Sequence, residues 1–213
     1  MSYATKTITV PPFNLSSPAG TDIWRKPPSH NAFNAPTHPS PLPQYKLKDF
    51  QSAKLTFALP PANTLRQYDQ AGLLIHLTKP GLKPGEDKWL KTGVEFYYGV
   101  PYISTVGCDV WADWSIVPLT PFAGNESRPT TTIEAKREKD VLGKSLWVYQ
   151  VLYDADGKEV ERRPLREATW VFADEDWDIG VGGYVARPNT DSEGTLTAEF
   201  EKGVEIVTID YKE

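Results

Sequence analysis

Gln70-Ala71-Gly72-Leu73-Leu74-Ile75-His76-Leu77 and, one loop later, Lys91-Thr92-Gly93-Val94-Glu95-Phe96-Tyr97-Tyr98 are the two stretches on which the reading of the fold turns. In an extended chain successive side chains point to opposite faces. The first stretch then places Ala71, Leu73, Ile75 and Leu77 on an apolar face and Gln70, Gly72, Leu74 and His76 on the other. The second places Thr92, Val94, Phe96 and Tyr98 one way and Lys91, Gly93, Glu95 and Tyr97 the other. Period-two alternation predicts strands, and the connection from Lys79 to Lys88 is short enough to make the two antiparallel neighbours. Their polar faces merge into one surface carrying Gln70, His76, Lys91, Glu95 and Tyr97. Planar donors and acceptors beside an aromatic ring suit the hydroxyls and the apolar face of a sugar. The competing reading is an ordinary solvated sheet face.

The same pattern continues outward from this pair. Short runs rich in Val, Ile, Thr, Tyr, Phe and Trp are separated by Gly, Pro, Asn and Asp clusters, which predicts further strands. They fall at 52–59, 101–107, 111–117, 130–137, 145–153, 165–173, 178–187 and 195–211, the last broken near Glu201-Lys202-Gly203. Asp154-Ala155-Asp156-Gly157 and Tyr98-Gly99-Val100-Pro101 read as hairpin turns. No stretch keeps apolar residues at helical spacing over three turns. About ten antiparallel strands cannot form one flat sheet without curling, so an all-β, two-sheet antiparallel sandwich or jelly roll is expected. Gly182 and Gly183 read as a close strand crossing or bulge.

Residues 11–43 differ, because nine prolines recur there. Interior strands and helices do not survive that density. The segment nevertheless carries Phe13, Ile23, Trp24 and Phe33, so it is expected to lie extended across the body, anchored by Ile23 and a buried Trp24. The division is an arm at 1–44 and a sandwich at 45–213.

Composition excludes several classes. The 213 residues carry 23 Lys plus Arg against 28 Asp plus Glu, a formal charge of −5, so no basic field exists to hold nucleic acid. No apolar run approaches the ~20 residues that span a bilayer, and the first residues lack a secretory apolar region, so no membrane partner and a cytoplasmic location are expected. One cysteine, Cys108, and three histidines argue against a disulfide or a zinc site. No phosphate loop, Gly-x-Ser-x-Gly elbow or metal triad is present, and neither metal nor cofactor is expected. The strand motif Glu-x-Asp-x-x-Glu of jelly-roll glucanases is missing, since Glu95 is followed by Phe96, Tyr97 and Tyr98. Asp174-Glu175-Asp176-Trp177-Asp178 reads as an acidic loop. Trp111, Trp114 and Trp177, beside acidic residues, are candidates to line a mouth.

Thr21-Asp22-Ile23-Trp24-Arg25, Tyr68-Asp69-Gln70-Ala71-Gly72-Leu73, Trp89-Leu90-Lys91-Thr92-Gly93-Val94-Glu95, Asp113-Trp114-Ser115-Ile116 and Gly183-Tyr184-Val185-Ala186-Arg187-Pro188 together resemble the regulation-of-enolase family of concanavalin-A-like proteins. The resemblance implies a jelly roll related to lectins and glucanases, and a link to control of a metabolic enzyme. The function expected is non-catalytic binding of a carbohydrate or polar metabolite on the concave sheet face, with a metabolic enzyme as a further partner. The candidate ligand residues are Gln70, His76, Lys91, Glu95, Tyr97 and Arg187. The alternative is a glycoside hydrolase or lyase with Glu95 as acid or base and His76, Lys91 or Arg187 assisting.

Overall fold

A computed structural model describes residues 4–191 and 193–211. In chain order its strands are β1 (Thr5–Val10), β2 (Phe13–Ser17), β3 (Ile23–Lys26), β4 (His30–Phe33), β5 (Thr37–His38), β6 (Gln44–Lys46), β7 (Phe50–Ala58), β8 (Gln70–Thr78), β9 (Lys88–Tyr97), β10 (Val100–Cys108), β11 (Ala112–Pro118), β12 (Thr130–Lys139), β13 (Lys144–Tyr153), β14 (Glu159–Ala168), β15 (Asp178–Ala186), β16 (Leu196–Phe200) and β17 (Val204–Ile209). Among the described residues there is no α-helix, and no helix is long and apolar enough to cross a membrane.

Two antiparallel sheets carry the architecture. One runs β1-β17-β7-β12-β13-β14, with β16 joining β7 and β2 joining β16. The other runs β11-β10-β9-β8-β15, and β5 and β6 both pair with the far side of β15. The main core lies between the sheets and includes Phe57, Leu73, Ile75, Val94, Ile133, Val148, Val181 and Ile206. Alternation explains this assignment, because Ala71, Leu73, Ile75 and Leu77 all enter that core while their neighbours face away.

The opposite face of the second sheet is not an open surface. A smaller core of Ile23, Leu74, Trp89, Val106, Cys108 and Tyr184 forms there, flanked by Trp24, Ala35, Leu42 and Trp114. Its cover is the segment from Ile23 to Gln44, folded as the β3–β4 hairpin and the following loop. Small residues permit this cover. A Cβ on Gly182 would stand 2.5 Å from the His38 carbonyl oxygen and from Leu42 Cδ2, and one on Gly180 would stand 2.5 Å from Gln44 Nε2. The close crossing expected at Gly182 is therefore real, although Gly183 faces the main core, against Phe13 and Phe200.

Four expectations need correction. The proline-rich segment does form strands, β2 to β5, because its prolines fall between them, and β1 and β2 are part of the first sheet, paired with β17 and β16, so residues 1–44 are not simply an arm laid across the body. The strand predicted at 165–173 lies instead at Glu159–Ala168, and Val171 and Phe172 enter the core from a loop. Pro164 is tolerated because β14 ends its sheet, next to a register shift at Val148/Tyr149. Ile23 is fully buried, but Trp24 is only half-buried. Tyr98 does not continue the core face of β9; it opens the hairpin turn expected at Tyr98-Gly99 and is 78% exposed.

Candidate functional site

Cross-strand register builds the site row by row. Gln70 on β8 pairs with Glu95 on β9, Gly72 with Gly93, and Leu74 with Lys91. On the next strand Tyr102 stands opposite Glu95, Ser104 opposite Gly93 and Val106 opposite Lys91. Trp114 of β11 pairs with Val106. All these side chains share the face turned from the main core.

In the middle of this face the two sheet strands come together without side chains. A Cβ on Gly72 would lie 2.1 Å from the Thr92 carbonyl oxygen, and one on Gly93 would lie 2.0 Å from the Ala71 carbonyl oxygen. The glycine pair leaves a floor of bare backbone, ringed by longer polar side chains. Among the side chains around it opens a cavity of about 310 Å³ lined by Asp22, Trp24, Tyr68, Gln70, Lys91, Glu95, Val106, Trp114 and Pro188. That volume is at the small end for ligand pockets.

The polar groups are buried and fixed. Gln70, Lys91 and Glu95 are 2%, 3% and 5% exposed. Lys91 Nζ donates to Gln70 Oε1 at 2.7 Å and to Asp22 Oδ1 at 3.2 Å. Gln70 Nε2 donates to the Tyr68 carbonyl at 3.2 Å, and the Tyr184 hydroxyl donates to Gln70 Oε1 at 3.4 Å. Trp114 Nε1 divides its proton between Glu95 Oε2 at 3.0 Å and Ser104 Oγ at 3.1 Å. Burial pushes the Glu95 carboxyl above the ordinary glutamate range, although the Ser104 hydrogen bond, the Lys91 charge and the Trp114 hydrogen bond pull it the other way. The pocket thus offers a buried ammonium, an amide and two carboxyls between aromatic walls. Such groups orient a polar ligand by directional hydrogen bonds.

Of the residues expected from sequence, Gln70, Lys91 and Glu95 meet at this pocket. Tyr97 stands behind its wall, with ring centroids 5.2 Å from Trp114 and 5.7 Å from Tyr68. His76 lies on the same face, paired with Trp89 in the row beyond Lys91. Its Nε2 is 2.8 Å from Asp87 Oδ2, and Arg25 Nη2 is 2.7 Å from Asp87 Oδ1. Burial disfavours the charged form of Asp87, but the His76 hydrogen bond and the Arg25 charge outweigh it and hold the carboxyl below its usual range. This cluster ties the β3–β4 hairpin to the sheet. Arg187 is also engaged in structure: Nε and Nη2 grip the fully buried Asp69 at 2.9 and 2.7 Å.

Sequence reasoning did not assign Asp22, Trp24 and Tyr68 to the site. They come from segments far from β8 and β9 in the chain, and pairing arguments cannot reach them. Their one signal was their presence in the blocks Thr21–Arg25 and Tyr68–Leu73. Of the tryptophans proposed for a mouth, Trp114 lines this pocket, Trp111 lines a second cavity beside Trp170 and Arg166, and Trp177 enters the main core. Among the described residues no group of three or more His, Cys, Asp or Glu side chains is placed to hold a metal ion.

Residues 6–204 match the family described as "Protein of unknown function (DUF1349)". The curated "Uncharacterized protein AN7484" of Emericella nidulans is 41% identical over 197 residues, 92% of this chain and 86% of that protein. Among solved structures, a functionally unknown protein from Saccharomyces cerevisiae is 17% identical with a TM-score of 0.54, covering 98% of this chain and 97% of that one. Basic winged bean lectin, solved with Tn-antigen, is 13% identical with a TM-score of 0.50, covering 96% and 98%. These two likenesses are likenesses of fold, and they make the sandwich lectin-like.

Proposed function

We propose, for a chain that belongs to the DUF1349 family, that the pocket between the β3 segment and the β8–β11 face binds a carbohydrate or similarly polar metabolite without transforming it. One observation carries the reading: Lys91, Gln70 and Glu95, all buried, line one cavity together with Trp24, Tyr68 and Trp114. A pocket meant only for packing would not hold a buried ammonium against an amide and a carboxylate, since removing charges from water is costly. Aromatic faces beside convergent donors and acceptors match a sugar ring, apolar on its faces and hydroxylated at its rim. Asp22 and Trp24 reach the pocket from the Pro-rich N-terminal segment, and the rest of its lining comes from the second sheet and its loops. The regulation-of-enolase resemblance adds a metabolic enzyme as a partner whose control would follow ligand occupancy.

A second reading has an observation of its own. Asp22 and Glu95 line one cavity, and burial favours the protonated form of Glu95, as a general acid requires. In that reading the protein is a glycoside hydrolase or lyase.

The test is a glycan array and a panel of free and phosphorylated sugars against wild type, Glu95→Gln and Lys91→Met, with reducing-sugar release from common polysaccharides in parallel. Binding that weakens modestly in Glu95→Gln and strongly in Lys91→Met, with no release, fits the binding protein. Release that falls 10²- to 10⁴-fold in Glu95→Gln establishes the enzyme. Binding identical in all three proteins removes the pocket from consideration.

A further inference from the structure

Two tyrosines beside the pocket occupy backbone conformations that tyrosine disfavours. Among the described non-glycine residues, only Tyr68 and Tyr98 have positive φ, at 68° and 46°. Tyr68 is the third residue of a turn closed by the Asp69 amide donating to the Arg66 carbonyl at 2.9 Å. A positive φ at that position is the mark of a type II turn, which calls for glycine or asparagine. Tyr98 and Gly99, with φ of 46° and 80°, form the two-residue loop between the paired residues Tyr97 and Val100. Positive φ at both loop positions is the type I′ arrangement, whose preferred sequence is Asn-Gly. Left-handed backbone is unfavourable for an ordinary side chain, and no core packing compensates it here. Tyr68 is 41% and Tyr98 78% exposed.

The rings contact one another in sequence, at interplanar angles of 60° for Tyr97–Tyr98, 39° for Tyr68–Tyr97 and 75° for Tyr97–Trp114, so each presents its own face and they do not form one flat platform. Tyr98 stands 4.4 Å from Tyr97 by ring centroids, and Tyr97 stands 5.7 Å from Tyr68 and 5.2 Å from Trp114. Tyr68 and Trp114 both line the cavity. An aromatic path therefore leads from the pocket wall to the tip of the β9–β10 hairpin. It is also held in place. The Tyr98 amide donates to Gln67 Oε1 at 2.9 Å, the Tyr68 amide donates to the Phe96 carbonyl at 2.7 Å, and Asp69, next to Tyr68, is locked by Arg187. Rigid tyrosines give large amphipathic contact area at little conformational cost.

We propose that Tyr68 and Tyr98, with Tyr97 packed between them as support, form a second subsite, so that the ligand is an oligosaccharide of at least two units, its terminal unit in the pocket and the next stacked on the exposed Tyr98 ring. This rests on the carbohydrate reading of the pocket and deepens it. The cavity, at about 310 Å³, is at the small end for ligand pockets, and the exposed Tyr98 ring lies on the side where a longer chain would emerge past Tyr68.

The experiment is calorimetric titration of wild type, Tyr98→Asn, Tyr98→Phe and Lys91→Met with gluco-, xylo-, manno- and chito-oligosaccharides of one to four units, alongside thermal melts. The expected result is a gain of about three- to tenfold from one unit to two in wild type, the size one aromatic contact supplies. Tyr98→Phe keeps that gain. Tyr98→Asn loses it, binds the single unit as wild type does, and melts higher because asparagine suits the turn. Lys91→Met loses both lengths. Equal affinity for one and two units in wild type overturns the second subsite and leaves the pocket reading standing. Chain binding lost in Tyr98→Asn but intact in Lys91→Met overturns the pocket reading and the two-site ligand with it. A panel in which no saccharide of any length binds overturns both.

Discussion

Arg187→Met is the perturbation that separates a structural arginine from a ligand-binding one. In the folded protein Asp69 is fully buried and Arg187 is 5% exposed. Two hydrogen bonds, at 2.9 and 2.7 Å, join them in a bidentate pair. Asp69 Oδ2 also accepts the Arg66 amide at 2.9 Å. Replacing the guanidinium by a thioether of similar length keeps the packing but leaves a carboxylate in a dry site. Breaking a buried pair in this way costs about 3–5 kcal/mol. For a chain of this size each kcal/mol moves the melting temperature by about 2–4 °C, so a fall on the order of 10 °C is expected. Asp69→Asn in the same protein removes the orphaned charge while keeping an acceptor for the Arg66 amide. The double variant should therefore recover most of the loss. Urea unfolding of the four proteins of this cycle measures the coupling directly. If Arg187→Met stays within about 1 kcal/mol of wild type, the buried pair is not the tie described. If saccharide binding disappears while stability is unchanged, Arg187 belongs to the ligand site.

Three further outcomes follow from the geometry. Gly93→Ala places a Cβ 2.0 Å from the Ala71 carbonyl oxygen, which only a shift of backbone can relieve; a loss of about 3 kcal/mol or more is expected, and a wild-type melting temperature would contradict the close approach. Ile23→Ala should cost about 2–5 kcal/mol because Ile23 is fully buried, whereas Trp24→Ala, at a half-buried pocket wall, should weaken saccharide binding more than it lowers stability. Glu95, raised by burial, binds its proton more tightly when folded than when unfolded. The stability this gives is complete below the unfolded pKa of glutamate and declines as pH rises through the raised value. Urea midpoints measured from mildly acidic to neutral pH should show that decline in wild type and a smaller one in Glu95→Gln; parallel curves would refute it.

Much of the body was legible because its strands are long and one-sided. Alternation in Gln70–Leu77 and Lys91–Phe96 marked the core face and, through the pairing of β8 and β9, put Gln70, Lys91 and Glu95 on one surface. The break near Glu201–Gly203 was readable because a turn with positive φ at Gly203 needs glycine there. The displaced strand at 165–173 shows the limit of the method. Apolar Val171 and Phe172 drew the boundary onward, while the real edge strand carries Pro164 and a charged surface that hides its character. The segments β2 to β6 were illegible for a related reason. They are two to five residues long, and their pairing is decided by partners such as β15 and β16 near the other end of the chain. Asp22 and Trp24 were lost with them. Tyr98 was read two ways: its place in the period-two face fails because alternation was carried one residue past the strand, whereas the hairpin turn read at Tyr98–Pro101 holds at Tyr98-Gly99.

β1 finds its hydrogen-bond partners in β17, from Thr5 against Ile209 to Val10 against Val204. Closing a loop of nearly the whole chain carries its full entropic penalty before either strand is rewarded. During synthesis the first strand has no native neighbour until the last has emerged, and β2 waits likewise for β16. The growing polypeptide therefore carries two strands without their ladder partners throughout most of its elongation, and their largely polar sequences, Thr5–Val10 and Phe13–Ser17, with few apolar side chains to expose, suit that wait.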